Sequence, residues 1–404
     1  MSHLAAVPEL PRPTLGDVLA EIAAGAAERD RAAVFPVEAI DLLQRGGFLA
    51  ANAAAGVTRP PAHEELALVR AVSKADAGVG RILDGHLNAV ERVAVGAPAE
   101  LRDRELELVH AGRVRAGVWG ADPRPGEGPP AHVVSDHGRL VLRGVKTFCS
   151  GAGGLNRALV LARMGDAADA PGPPSAVWVA LGDATADVDT SWFAGSGLRS
   201  SVSHRVTFRD TPVLAVMGEP GWLGTQPWFS RDALRTSATW AGIVDAAADA
   251  ALAELRSRSR LGDLEALAAG RIRTEQATVD AWQRRAADAM DAGDPDAYLA
   301  AQVMAFALFA SDSDELIYCN GRLPEFLLDA PESVDLVPEY NAAFGWVGEF
   351  TLTCIDVTVE HETPDNLALS AFALDAFAVG ASEAVGTAWL NVALQEFVLS
   401  AFSG

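Results

Sequence analysis

The chain has 404 residues, 50% of them hydrophobic and 21% charged, which is enough for two or three domains and a sizeable core. Its net charge of −22 excludes nucleic acid or an anionic membrane as the main partner, because both demand clustered Lys and Arg. Cys149, Cys319 and Cys354 are too few and too scattered for a disulfide framework or a metal knuckle. No apolar run reaches the roughly 20 residues that span a bilayer, and the first residues lack an export signal, so a reducing cytoplasm is the expected location.

The first 113 residues read as helices. Thr14 is an N-cap for a helix over 15–28, and Phe35-Pro36 opens a second through Ile40, Leu42 and Leu43, which Gly46-Gly47 stops. A third helix over about 62–75 leads into 76–86, and a fourth covers about 99–111.

The period changes near residue 114. Short β-rich runs follow at 114–119, 132–134, 140–143, 145–149, 158–162, 176–181 and 205–208, separated by turns rich in Gly, Pro and Asp. Closely spaced strands with no intervening helix predict an antiparallel sheet or small barrel. Residues 123–130 and 167–174 read as loops.

From about residue 230 the helical signature returns, with an alanine-rich helix over 232–258 and another over 263–292. Residues 323–404 then hold 13 acidic residues and no Lys or Arg, which predicts a partly helical, weakly specified tail. Helix, then compact β, then helix excludes a doubly wound fold. The expected class is α+β with three parts: an α-helical domain over 1–113, an antiparallel β-barrel over 114–217 and a helical domain over 218–404, in which 323–404 is atypical and acidic.

Residues 142–152, Leu-Arg-Gly-Val-Lys-Thr-Phe-Cys-Ser-Gly-Ala, read as two strand pieces about Gly144 and a small-residue turn that lets the backbone approach a flat ligand. An ordinary hairpin with a glycine turn is the alternative. This stretch resembles the Gly-x-Lys-x-(Trp/Phe)-x-(Thr/Ser) segment of the acyl-CoA dehydrogenase family. Other stretches resemble that family in the same order. Residues 30–50 are similar to its N-terminal Phe-Pro…Leu…Gly-Leu helix, and 76–86 to its third-helix region. Val118-Trp-Gly-Ala-Asp-Pro123 stands where its Thr-Glu-Pro flavin loop stands. Residues 197–208 look like its barrel-closing strand, and Arg258-Ser-Arg-Leu-Gly262 is similar to its Arg-x-x-Phe-Gly.

The resemblance implies FAD as cofactor. Phe148 maps to the aromatic near the isoalloxazine, with a core phenylalanine as the alternative, and Ser150 to the hydroxyl that bonds the flavin's reactive edge, with a turn serine as the alternative. Trp119 packs on the flavin or fills the barrel. Ala121 replaces a flavin-contacting threonine, leaving backbone contact alone. Arg258 serves the FAD pyrophosphate or is one of three solvated arginines with Arg256 and Arg260. Lys146 reads as a surface or interface lysine, His86 as a core or pocket histidine and His204 as structural.

The family's reaction needs a carboxylate at the substrate α-carbon. Its usual C-terminal position falls at Val379. A second family position falls near Asp232, which is a candidate base or a helix cap. The implied activity is α,β-dehydrogenation of an acyl-CoA or related small molecule, with an unidentified electron-transfer partner, in a homodimer or homotetramer. A reduced-flavin monooxygenase of the same fold explains the missing glutamate. An inactive scaffold is the third reading, favoured by Ala121 and Val379.

Overall fold

The computed structural model describes residues 12–54, 60–165, 172–182, 184–195, 197–258 and 262–293. The acidic stretch 323–404, with Val379, lies outside the described residues, as does much of the 167–174 loop.

Five helices precede the strands: α1 (Leu15–Ala32), α2 (Val37–Gly46), α3 (Ala62–Ala75), α4 (Ala77–Gly96) and α5 (Ala99–His110). Thr14 starts α1 as expected. Its hydroxyl accepts from Asp17 N–H while the Asp17 carboxylate accepts from Thr14 N–H, each at 3.2 Å. Gly47 stops α2 at φ +81°. Asp76 ends α3 and begins α4, accepting the Val79 N–H at 3.1 Å. Two helices follow the strands, α6 (Trp228–Ser257) and α7 (Asp263–Ala292).

α6 packs on α3 and α4. Leu66, Val69 and Val72 of α3, Leu83 and Leu87 of α4, and Leu234 and Ala238 of α6 share one core. Close approach depends on Gly242, where a Cβ would lie 2.2 Å from the Arg70 carbonyl oxygen on α3. The alanine content of α6 therefore serves packing as well as helix propensity.

The strands are β1 (Ala116–Trp119), β2 (His132–Asp136), β3 (Arg139–Cys149), β4 (Arg157–Met164), β5 (Ser175–Ala180), β6 (Ala186–Asp189) and β7 (His204–Met217). β2, β3, β7, β5 and β4 pair in turn, and β4 pairs back to β2, so five strands close into a barrel. The expected antiparallel barrel needs correction. β4 runs parallel to both β1 and β2, so the sheet is mixed. Strand direction at those pairings is set by the path of the intervening chain, which local alternation does not encode. Leu142, Val160, Val177, Val206 and Phe208 fill the interior.

The two expected pieces about Gly144 are one strand, bent where Gly144 sits at φ +102°. A Cβ there would meet the Pro130 carbonyl oxygen at 2.4 Å, and the register with β7 shifts between Leu142 and Gly144. A second shift falls between Lys146 and Cys149, and it shapes the region described next.

Candidate functional site

At the second bulge of β3, Phe148 takes φ +50°, a left-handed value that a bulky residue adopts only under constraint. Its ring stays half-buried and meets Trp192 edge-on, with centroids 4.8 Å apart. The bulge turns the chain so that Ser150, two residues on, faces the start of β7. There Ser150 Oγ lies 2.9 Å from Ser203 Oγ, and Ser203 Oγ lies 2.7 Å from Ser201 Oγ. All three serines are buried.

The turn that carries Ser201 and Ser203 is tied down from three sides. Asp30 of α1 accepts the Arg199 N–H at 2.9 Å, and Ser200 Oγ donates to Asp76 at 3.4 Å. Gly151 N–H donates to the Ser201 carbonyl at 2.8 Å. Leu198 and Val202, on either side, are at φ +54° and +43°. Non-glycine residues held this way cost about 1–3 kcal/mol each and gather at functional sites.

Trp119, Ala121 and Lys146, all singled out by sequence, lie on the strands and loop beside this hydroxyl chain. Trp119 is buried in the barrel core against Phe208, and its indole N–H donates to the Ser150 carbonyl at 3.1 Å. Ala121 presents its carbonyl to Thr147 N–H at 3.1 Å. Lys146, expected at a surface or interface, is instead 2% exposed. Its ammonium binds Gly120 O at 2.7 Å and Asp122 Oδ1 at 2.5 Å, while Thr147 Oγ1 donates to Asp122 O at 3.1 Å. Two consecutive residues of β3 thus hold three consecutive residues of the 120–122 loop. Burial lowers the Lys146 pKa and Asp122 opposes that shift.

His204 opens β7 beside Ser203 and is 4% exposed. Its ring meets Phe193 at right angles, 6.5 Å between centroids, and its Nδ1 has no partner among the described residues. A buried imidazole with an Nδ1 free among the described residues, beside a buried hydroxyl chain and a half-buried aromatic ring, fits a flat, heteroatom-edged cofactor such as a flavin.

No family model and no curated protein matches the chain. Solved structures do. FMN-bound TdsC from Paenibacillus sp. A11-2 superposes with a TM-score of 0.65 at 21% identity, covering 75% of this chain and 85% of that one; TdsC is also described as a dibenzothiophene monooxygenase. KijD3, in complex with FMN and an amino-keto deoxysugar nucleotide, matches with a TM-score of 0.62 at 19% identity, over 93% of this chain and 95% of its own. A probable acyl-CoA dehydrogenase from Mycobacterium abscessus gives 0.63 at 19% identity, over 75% and 84%. The fold is that of the acyl-CoA dehydrogenases.

Two residues chosen through the likeness to acyl-CoA dehydrogenases have other neighbours. Asp232, half-buried on α6, accepts a hydrogen bond from the Asn88 amide on α4. Arg258, with 46% of its side chain exposed, is paired with Glu265 across the turn from α6 to α7 and lies 3.7 Å from Glu254.

Asp232 borders a cluster that sequence reading missed. Between α3, α4 and α6, Arg235 binds both Glu65 and Glu91, the latter at 2.6 Å, and Arg231 binds Glu91 at 2.6 Å. Arg92 binds Glu91 at 2.5 Å, donates to the Trp228 carbonyl at 2.8 Å and stacks on the Trp228 ring. All five charged side chains are buried. Burial works against charge on Arg235, yet Glu65 and Glu91 raise its pKa above the usual value. Asp84, beside the cluster, is pushed up to about 6, chiefly by burial; Arg81 opposes the shift and Asp232 adds to it.

His86 is the buried core histidine that sequence predicts. Its Nδ1 accepts from Ala116 N–H at 3.1 Å and its Nε2 lies 2.9 Å from Leu49 O. The first contact fixes the neutral Nε2–H tautomer, and burial lowers the pKa to about 4.

A periodic carboxylate or arginine inside an apolar helix pattern was the one signal for the charge cluster. For the serines it was the Ser-Ser-Val-Ser run at 200–203.

Proposed function

We propose that this protein is a flavin-dependent oxidoreductase that oxygenates a small organic substrate with reduced flavin and molecular oxygen. The observation that carries the reading is the buried Ser150–Ser203–Ser201 hydroxyl chain beside the half-buried Phe148 ring. In this reading Phe148 and Ser150 hold the ring, Trp119 and Lys146 fix the strand and loop behind it, and Ala121 offers backbone contact. A flavin held there would supply two electrons for oxygen chemistry, and the serine hydroxyls would hold protons at its edge. The likeness to TdsC, described as a dibenzothiophene monooxygenase, supports oxygen chemistry, and FMN in both TdsC and KijD3 leaves FMN and FAD as alternative cofactors.

Asp232 separates this from α,β-dehydrogenation of an acyl thioester. A base for that reaction must reach the α-carbon unencumbered. Here the nearest candidate is engaged by Asn88 beside a block of buried ion pairs. Dehydrogenation remains the second reading because Asp232 is only half-buried and stands near the start of α6.

The deciding experiment is stopped-flow absorbance of the reconstituted protein. Flavin reduced by an added reductase or by light, then mixed with oxygen and a panel of small aromatic and amine substrates, gives oxygenated product under the first reading. Anaerobic bleaching of oxidised flavin by an acyl-CoA establishes the second. Failure to take up FMN or FAD sinks both and leaves an inactive scaffold.

A further inference from the structure

We propose that Ser203 and Ser201 are positioning residues that act through Ser150 as a reversible hydroxyl chain, letting Ser150 donate a hydrogen bond to oxidised flavin and accept one from reduced flavin. The inference rests on the flavin reading above.

Each serine hydroxyl carries one proton and two lone pairs. Two O···O gaps, of 2.9 Å and 2.7 Å, take one proton each, so three hydroxyls leave one proton projecting from an end of the chain. When it projects from Ser150, the order of donation is Ser201 to Ser203 to Ser150, and Ser150 offers an O–H outward. When the three hydroxyls rotate together, Ser150 donates to Ser203, Ser203 to Ser201, and Ser150 offers a lone pair outward. No bond to a heavy atom changes, and no net proton enters or leaves.

The two states match the chemistry of a flavin's reactive nitrogen. In the oxidised ring that nitrogen bears a lone pair and accepts; after two-electron reduction it bears a hydrogen and donates. A solitary buried serine could meet one demand only by leaving its own proton without a partner in the other, which is costly where water is excluded. Ser203, 6% exposed, supplies that partner, and Ser201, 1% exposed, supplies the same for Ser203, so the odd proton of the reduced state sits on Ser201, at the end of the chain away from the ring. The geometry is held from outside the chain, since Trp119 fixes the Ser150 carbonyl and Gly151 N–H fixes the Ser201 carbonyl.

The test uses the full-length protein and two readouts that do not depend on turnover: fluorescence titration with oxidised FMN and FAD, and the midpoint potential of the bound flavin by equilibration with a reference dye. Ser203→Ala is expected to weaken binding of reduced flavin about tenfold relative to oxidised flavin. The potential then falls by about 30 mV. Ser150→Ala, which removes the partner of both redox states, is expected to weaken oxidised and reduced flavin alike and to leave the potential near wild type, the double variant behaving as Ser150→Ala does, and Ser203→Thr is expected to restore the parent potential. Ser201→Ala gives a smaller shift of the same sign and serves if Ser203→Ala does not fold. A wild-type potential in both Ser203→Ala and Ser201→Ala, alongside weakened flavin binding in Ser150→Ala, overturns the chain while leaving the flavin site standing. A wild-type protein that quenches neither flavin overturns the reading beneath it as well.

Discussion

Lys146 Nζ, buried on β3, lies 2.5 Å from Asp122 Oδ1 and 2.7 Å from Gly120 O, so one ammonium anchors the loop that faces the candidate cofactor site. Breaking a buried pair costs roughly 3–5 kcal/mol, and the 30% exposure of the Asp122 side chain relieves part of that. Lys146→Met is expected to lower stability by about 2 kcal/mol in urea unfolding. Flavin affinity falls with it in fluorescence titration, because the 120–122 backbone loses its tether. A variant that loses neither removes Lys146 from the site.

Arg235 stands between Glu65 and Glu91 on two other helices. Arg235→Met strands two buried carboxylates and is expected to destabilise by about 3–5 kcal/mol. Arg235→Lys recovers only part of this, since an ammonium lacks the planar fork that spans both acids. Denaturant midpoints of the two variants measure the difference.

His86 predicts a dependence on pH with a definite sign. Its folded pKa of about 4 lies below the ordinary 6.5, so the native state excludes a proton that the unfolded chain binds. The contribution is complete above pH 6.5 and is lost as pH falls to 4, a change of roughly 3 kcal/mol. Asp84 runs the other way: its pKa of about 6, raised from 3.8, makes its contribution fade as pH rises through that range. The two slopes oppose each other between pH 4 and 6. Gln at position 86 keeps a donor for Leu49 and an acceptor for Ala116. His86→Gln is therefore expected to lose the rising contribution, so that its stability relative to the parent falls as pH rises from 4 to 6.5 in urea unfolding.

Asp232→Asn separates the two functional readings. Under the monooxygenase reading, oxygenation is expected to stay within about threefold of the parent. Loss of a general base would cost about 100-fold or more in the rate of flavin bleaching by an acyl-CoA.

Arg258→Gln reports on the cofactor. The guanidinium is proposed to leave Glu265 for the pyrophosphate of FAD, a group that FMN lacks. The variant is expected to bind FAD about tenfold more weakly and FMN as before. Equal affinities for both flavins before and after the change would remove Arg258 from the site.

The helices were the most legible part of the fold, because their signals are local. Thr14 with Asp17, Gly47 after α2 and Gly293 after α7 mark ends through bonds within a few residues. β7 was expected over 205–208 but continues to Met217, past a proline that ordinarily argues against a strand. Asp210 at φ +56° bends the strand just before Pro212 and lets it go on. β6 carries too few apolar residues to announce itself, and only its pairing with β7 makes it a strand. In the site, Phe148 and Ser150 were found through a motif. Ser203 stands 53 residues from Ser150 and meets it only because the β3 bulge turns the chain there. No short-range pattern carries that information.

The block of Glu65, Glu91, Arg92, Arg231 and Arg235 also constrains descent. Replacing one member strands a charge, whereas replacing the whole set with apolar side chains of similar volume is often neutral or favourable. Change at these five places is therefore a barrier crossed in company. In lineages that keep this fold, positions 65, 91, 92, 231 and 235 are expected to be inherited as a unit or to turn apolar together, with half-converted sets absent from the record.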